Sequence, residues 1–147
     1  MQNKINIQYF KTPFGELILG EYQNKLCLAD WRYRKMRDTI DKRIQNKLNS
    51  VYTVNNSDVI EKTKEQLTVY FSGNLKVFSI PLLLVGTDFQ IKIWHELQKI
   101  SFGKTKTYLQ LAKDINQEKA VRAVANANGA NAISILIPCH RIIGANG

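Results

Sequence analysis

The chain has 147 residues, 44% of them hydrophobic and 22% charged, with 21 Lys and Arg against 12 Asp and Glu and a formal charge of +9. Wholesale disorder is excluded, and the length suits one domain or two small ones. The longest apolar runs, 80–85 and 133–138, are too short to span a bilayer. The opening Met1-Gln-Asn-Lys-Ile has no apolar signal region, and two cysteines cannot build a disulfide framework. A cytoplasmic protein without a membrane partner is expected. The positive field favours a polyanion such as nucleic acid. Residues 1–88 carry 13 basic and 9 acidic side chains, and residues 89–147 carry 8 and 3, so the C-terminal part is the more basic for its length.

Ile5, Ile7 and Tyr9, then Leu17 and Leu19, then Leu26 and Leu28 alternate as three strands should, with turns at Pro13-Phe14-Gly15 and at 22–25. Met36, Ile40, Ile44 and Leu48 then fall at steps of four, the stripe of an amphipathic helix ending near Asn49. The basic run Arg32, Arg34, Lys35 and Arg37 reads as a solvated helix entrance. Asn55-Asn56-Ser57-Asp58 caps a second helix with Ile60, Leu67 and Tyr70 or Phe71 inward, and Ser72-Gly73-Asn74 stops it. Residues 77–85, interrupted by Pro81, suit a strand or extended connector. The expected fold is mixed α/β (α+β): a small N-terminal sheet with helices over 1–85, then a helical C-terminal domain over 86–147.

In that second part Thr87-Asp-Phe-Gln90 is a capping box opening a helix with Phe89, Ile93, Leu97 and Ile100 inward, which Gly103 should end. Thr107-Tyr-Leu-Gln110 is a second capping box. A turn at 115–117 leads to a third helix from about Glu118 to Asn128, with Gly129 as its stop. Two short helices so joined, over about 107–128, make a helix-turn-helix pattern. Ile133 to Ile137 reads as a buried strand delivering Pro138, Cys139, His140 and Arg141.

Taken alone, Cys139 suits a small buried hydrophobe as well as a nucleophile. Its neighbour His140 would lie on the opposite face of an extended chain, so contact needs a turn, which Pro138 can supply, or a bridging water. Cys27, His95, Cys139 and His140 have no zinc-like spacing, and neither a glycine-rich phosphate loop nor a magnesium-type carboxylate cluster is present. Neither a metal nor a nucleotide cofactor is expected.

The segment Ile135-Leu-Ile-Pro-Cys-His-Arg-Ile-Ile-Gly144 resembles the active-site signature of the O6-alkylguanine-DNA alkyltransferases, the methylated-DNA–protein-cysteine methyltransferases. The resemblance extends over almost the whole chain. It includes Thr12-Pro-Phe-Gly15, Gly86-Thr-Asp-Phe-Gln90 with Trp94, and Gly103-Lys-Thr-Lys-Thr-Tyr108 with Gln110-Leu-Ala112. Lys119-Ala-Val-Arg-Ala-Val124 and Asn131 complete it.

The resemblance implies single-turnover DNA repair, in which an alkyl group passes irreversibly from O6-alkylguanine, and from O4-alkylthymine, to Cys139. His140, through a water, would take the thiol proton, and Tyr108 would hydrogen-bond the flipped base. The second helix of the helix-turn-helix would enter the minor groove of double-stranded DNA, with Ala123 and Ala127 allowing close approach. Arg122, which alone reads as a surface partner of Glu118, would fill the gap left by the extruded nucleotide. Asn131, Pro138 and Arg141 would support the site. The protein is expected to act as a monomer.

Some family members hold a structural zinc in the N-terminal part, but Cys27 lacks matching partners. The family's pattern also continues past 144–147 into a glycine-rich pocket wall and a last helix, whose acidic residue orients the histidine. The resemblance therefore implies slower methyl transfer by residues 1–147 than by a chain carrying that helix, with DNA binding less affected. Rival expectations are a non-enzymatic protein that binds alkylated DNA, a form with little transfer activity, and a helix-turn-helix transcription regulator.

Overall fold

The computed structural model describes residues 3–75 and 77–143, and the side chains of all of these except Ile142 and Ile143. The chain forms two compact units, Met1–Val85 and Gly86–Gly147.

The first unit is a mixed four-stranded sheet with two helices. Strands β1 (Asn3–Thr12), β2 (Gly15–Tyr22) and β3 (Lys25–Trp31) form an antiparallel meander. Ile5, Ile7, Leu17, Leu19, Leu26 and Leu28 are all buried. In the tight β2–β3 turn, Gln23 and Asn24 take positive φ. The buried Glu21 carboxylate braces that turn, accepting from Asn24 N at 2.7 Å and from Asn6 Nδ2 at 2.8 Å.

Helix α1 (Arg37–Leu48) buries Ile40 and Ile44 and ends on Asn49 in the left-handed region. A fourth strand, β4 (Ser50–Val54), then runs parallel to β1, giving the order β3-β2-β1-β4. The stripe reading of the sequence passed over it. It is short, and as an edge strand it exposes Val51 and Val54, so no alternation marks an inward face. Helix α2 (Asp58–Phe71) packs on β1, β2 and β3, capped where expected by the Ser57 side chain, and buries Ile60, Thr63 and Leu67. Within residues 77–85 no strand forms. The backbone instead makes one bridge to β3, through Leu26 N to Pro81 O and Leu83 N to Leu26 O, both at 2.8 Å.

Of the basic run Lys35 is exposed as expected, but the three arginines are held by partners. Asp30, wholly buried, accepts from Arg34 and Arg37. Arg37 also reaches Asp41, which takes a 2.7 Å bond from the Tyr52 hydroxyl. Arg32 lies over the Tyr9 ring, 3.8 Å from its centroid, and pairs with Glu16. A carboxylate in the core has no water to solvate it, so the arginines are drawn inward to do so.

The second unit packs three helices: α3 (Asp88–Gln98), α4 (Tyr108–Asp114) and α5 (Val121–Gly129). Both expected capping boxes form, Thr87 with Gln90 and Thr107 with Gln110. Ile93, Trp94 and Leu97 are buried, whereas Phe89 is only half-buried. Gly86 is required sterically, because a Cβ there would sit 2.6 Å from the Trp94 ring.

Three boundaries differ from the sequence reading. Helix α3 ends at Gln98 with Lys99 as its cap, and Gly103 lies beyond it in a turn at φ +81°. The third helix opens as a 3-10 turn, Glu118–Ala120, before α5 begins at Val121. Gly129 is the last helical residue and not a left-handed stop; the cap is Ala130. The reading of 133–137 as a strand is overturned. The backbone reverses there, with Ile137 N donating to Ile133 O at 3.0 Å and Leu136 N to Ser134 O at 2.8 Å. Ile135 sits at φ +73°, a region costly for a β-branched residue. Alternation cannot distinguish this tight loop from a strand, since both bury apolar side chains in a short run.

Candidate active site

Cys139 opens a 3-10 turn, Cys139–Arg141, whose start is set by buried Pro138; Arg141 N donates back to Pro138 O at 3.0 Å. On such a turn successive side chains diverge by about 120°, not the half-circle of a strand, so Cys139 and His140 share one side of the backbone more nearly. Cys139 is half-buried and His140 exposed. Partial desolvation of the ring, then the adjacent Arg141 charge, hold the His140 imidazole below its usual pKa of 6.5. It is therefore neutral at physiological pH and able to accept a proton.

Four local features fix the turn. Cys139 N donates to Ile137 O at 2.8 Å. Arg141 Nη1 donates to Ile100 O at 2.6 Å, and its guanidinium lies 5.5 Å from the Phe102 ring centroid. Asn131, buried, donates through Nδ2 to Ile133 O at 3.2 Å and Ile137 O at 3.1 Å, while its Oδ1 accepts from Ile133 N at 3.0 Å. This one side chain closes the loop that carries the strained Ile135. Finally β5 (Lys106–Thr107) pairs in parallel with β6 (Ile142–Ile143), so the chain leaving the cysteine turn runs beside the chain entering α4. Tyr108, half-buried, is the first residue of α4 and follows directly from that ladder. A two-residue pairing carries no periodicity, and the sequence reading had no signal for it.

On α5, Arg122 and Ala123 are exposed. Ala127 is not: it is 4% exposed, and its carbonyl accepts from Trp94 Nε1 at 2.9 Å. The expectation of two small residues on one open face is thus corrected. Ala123 presents its methyl to solvent, whereas Ala127 packs against α3, because the last turn of α5 passes under the buried indole. A depression lined by Lys113, Asn116, Gln117, Glu118, Lys119 and Ala120 lies at the turn between α4 and α5, where Asn116 takes φ +60°.

The sequence reading missed Asn128, whose Nδ2 donates to Cys139 O at 3.4 Å. It lies between Arg122 and Asn131 in a run of Asn and Ala with nothing to distinguish it. Cys27 is a different kind of thiol: buried against Gly20 O, it has its pKa pushed up to about 12 by burial. Among the described residues no group of three or more His, Cys, Asp or Glu could hold a metal ion, and no helix is long and apolar enough to cross a membrane. The segment 144–147, where the family's pocket wall would begin, lies outside the described residues.

A sheet-bearing unit followed by a helical unit that ends in a pinned Pro-Cys-His-Arg turn matches two family models in the same order. Residues 5–84 match the ribonuclease-like domain of 6-O-methylguanine DNA methyltransferase, and residues 88–147 match its DNA binding domain. The chain belongs to this methyltransferase family. Its named relatives include the methylated-DNA–protein-cysteine methyltransferase of Methanosarcina acetivorans, 47% identical over 138 residues, covering 94% of this chain and 83% of that one. The constitutive enzyme of Bacillus subtilis is 36% identical over 144 residues, covering 92% and 79%. Among solved structures, Mycobacterium tuberculosis OGT in complex with DNA superposes with a TM-score of 0.80 at 32% identity, over 97% of this chain and 80% of that one. Matches across both domains leave the regulator reading without support.

Proposed function

We propose that this chain repairs alkylated DNA by taking the alkyl group of O6-alkylguanine onto Cys139, once per molecule. The observation that supports this best is the placement of a half-buried cysteine on a turn tied by the Asn128 side-chain amide to a helix carrying the exposed Arg122. O6 lies within the duplex, so the nucleotide must leave the stack, at a cost of about a few kcal/mol. The helix-turn-helix of α4 and α5 enters the minor groove, Ala123 allows close approach, and Arg122 fills the gap. Tyr108 meets the base at the start of α4.

The reaction is an in-line displacement. The Cys139 sulfur attacks the alkyl carbon, the S–C bond forms as the C–O6 bond breaks, and guanine leaves with the electron pair. The thiol proton passes through a water to neutral His140, and the Tyr108 phenol hydrogen-bonds the leaving base. The product is a thioether, which ordinary cellular reductants do not reverse, so no cofactor turns the protein over. Charge on Lys113, Lys119 and Arg122 favours phosphate contact without sequence choice. The protein acts as a monomer on double-stranded DNA.

Incubation with a duplex containing O6-methylguanine should add one methyl group to the Cys139 peptide and none to the Cys27 peptide, read by mass. Arg122→Ala should slow reaction with the duplex at least about tenfold more than reaction with free O6-benzylguanine, which needs no extrusion. A methyl group on any other residue would overturn Cys139 as the acceptor, and DNA binding with no transfer would replace this reading with that of a non-enzymatic lesion binder.

A further inference from the structure

We propose that Asn128 is a positioning residue for Cys139, kept for the chemistry at some expense to the fold; this rests on Cys139 being the alkyl acceptor. Asn128 lies in the last turn of α5. One end of its amide does something visible: Nδ2 donates to the Cys139 carbonyl at 3.4 Å. The other end does not. Oδ1 is buried with no hydrogen-bond partner among the described residues.

Folding alone does not account for this side chain. Asparagine is a weak helix former, and a buried acceptor without a donor lowers stability. A leucine of similar size would fill the same space with neither defect. Asn131, three residues on, shows what a structural asparagine looks like in this unit, since it donates two hydrogen bonds and accepts one. Asn128 spends its amide on a single backbone group, and that group belongs to the nucleophile.

The chemistry explains the choice. The Cys139 carbonyl is attached to the carbon that also bears the CH2–S arm, so holding it sets the rotation of the turn and the direction from which sulfur approaches. An N–H dipole on that carbonyl also offsets its negative end close to where thiolate charge develops. Asn128 lies on the same helix as Arg122, so the element that meets DNA also orients the sulfur.

The test compares the full chain with its Asn128→Leu and Asn128→Asp variants. It reads the thermal midpoint, the concentration dependence of Cys139 benzylation by free O6-benzylguanine, and carbamidomethylation of Cys139 by iodoacetamide at neutral pH. Asn128→Leu should melt at the same temperature or higher, while its maximal benzylation rate falls about tenfold at an unchanged half-saturating concentration. Asn128→Asp, which adds a negative charge beside the turn, should slow carbamidomethylation about tenfold.

A maximal benzylation rate for Asn128→Leu within about twofold of the parent overturns the proposal, as does a rate loss accompanied by a matching loss of thermal stability. If Asn128→Leu does not fold, an Asn128→Asp carbamidomethylation rate equal to the parent's overturns it instead. If the parent itself is not benzylated at Cys139, the repair reading fails, and the iodoacetamide comparison still decides the role of Asn128.

Discussion

The two cysteines divide the molecule into two kinds of interior. Around Cys27 the strands bury side chains on both faces, and polar groups are met by side-chain partners: Asp30 by two arginines, Asp41 by Arg37 and Tyr52, Glu21 by Asn6. Around Cys139 the same work is done on the backbone, by Asn131 and Asn128 reaching carbonyls of a strained loop and its turn and by Arg141 reaching the Ile100 carbonyl just past α3. A thiol sealed among strands is held protonated. A thiol on a pinned turn stays accessible while its direction is fixed. One residue type thus serves packing in one unit and, on the proposed reading, chemistry in the other, and the surroundings of each decide which.

The sharpest way to break this comparison is to alkylate both thiols. Cys139→Ser should abolish transfer, a loss of at least about a thousandfold, because an alcohol is scarcely ionised where a thiol is. Cys27→Ser should leave the rate per folded molecule unchanged. Methyl transfer that survives in Cys139→Ser, measured with methylated duplex, would remove the distinction.

Stability separates the two interiors next. Asp30→Ala strands two guanidinium groups that face a buried site, and should cost about 3–5 kcal/mol in denaturant unfolding. Asn131→Ala removes three hydrogen bonds to backbone, leaving the buried Ile133 N–H without its acceptor, and should cost about 2–3 kcal/mol. The first variant should retain its transfer rate per folded molecule, whereas the second should lose rate, because it loosens the loop before Cys139. Equal effects on rate would mean that the loop is not what aims the sulfur.

The smallest effect concerns pH. His140 titrates below 6.5, so it is neutral above that value and becomes protonated as pH falls. The rate of Cys139 benzylation should therefore drop on acidification, with a midpoint below 6.5, and His140→Gln should remove that acid limb. An acid limb that persists in His140→Gln would assign it to another group.

The capping boxes at Thr87 and Thr107, the stripe of Ile40 and Ile44, the three-strand meander and the Pro138-Cys139-His140-Arg141 turn were legible in the sequence. Each depends on neighbours within about four residues, where helix period, strand alternation and caps operate. The resemblance over the rest of the chain supplied the chemistry. Tertiary structure alone decided the remainder. The basic run became an ion-pair network because Asp30 is buried. Ala127 turned inward under Trp94. An apolar run became a reversing loop because Asn131 satisfies its carbonyls. The β5–β6 ladder brought the approach to Tyr108 beside the exit from Cys139. None of these leaves a local trace, since each depends on a partner distant in sequence or on a polar atom left over once the chain has packed. Asn128 is the extreme case: an asparagine among asparagines, set apart only by one carbonyl it reaches and one acceptor it leaves unmatched.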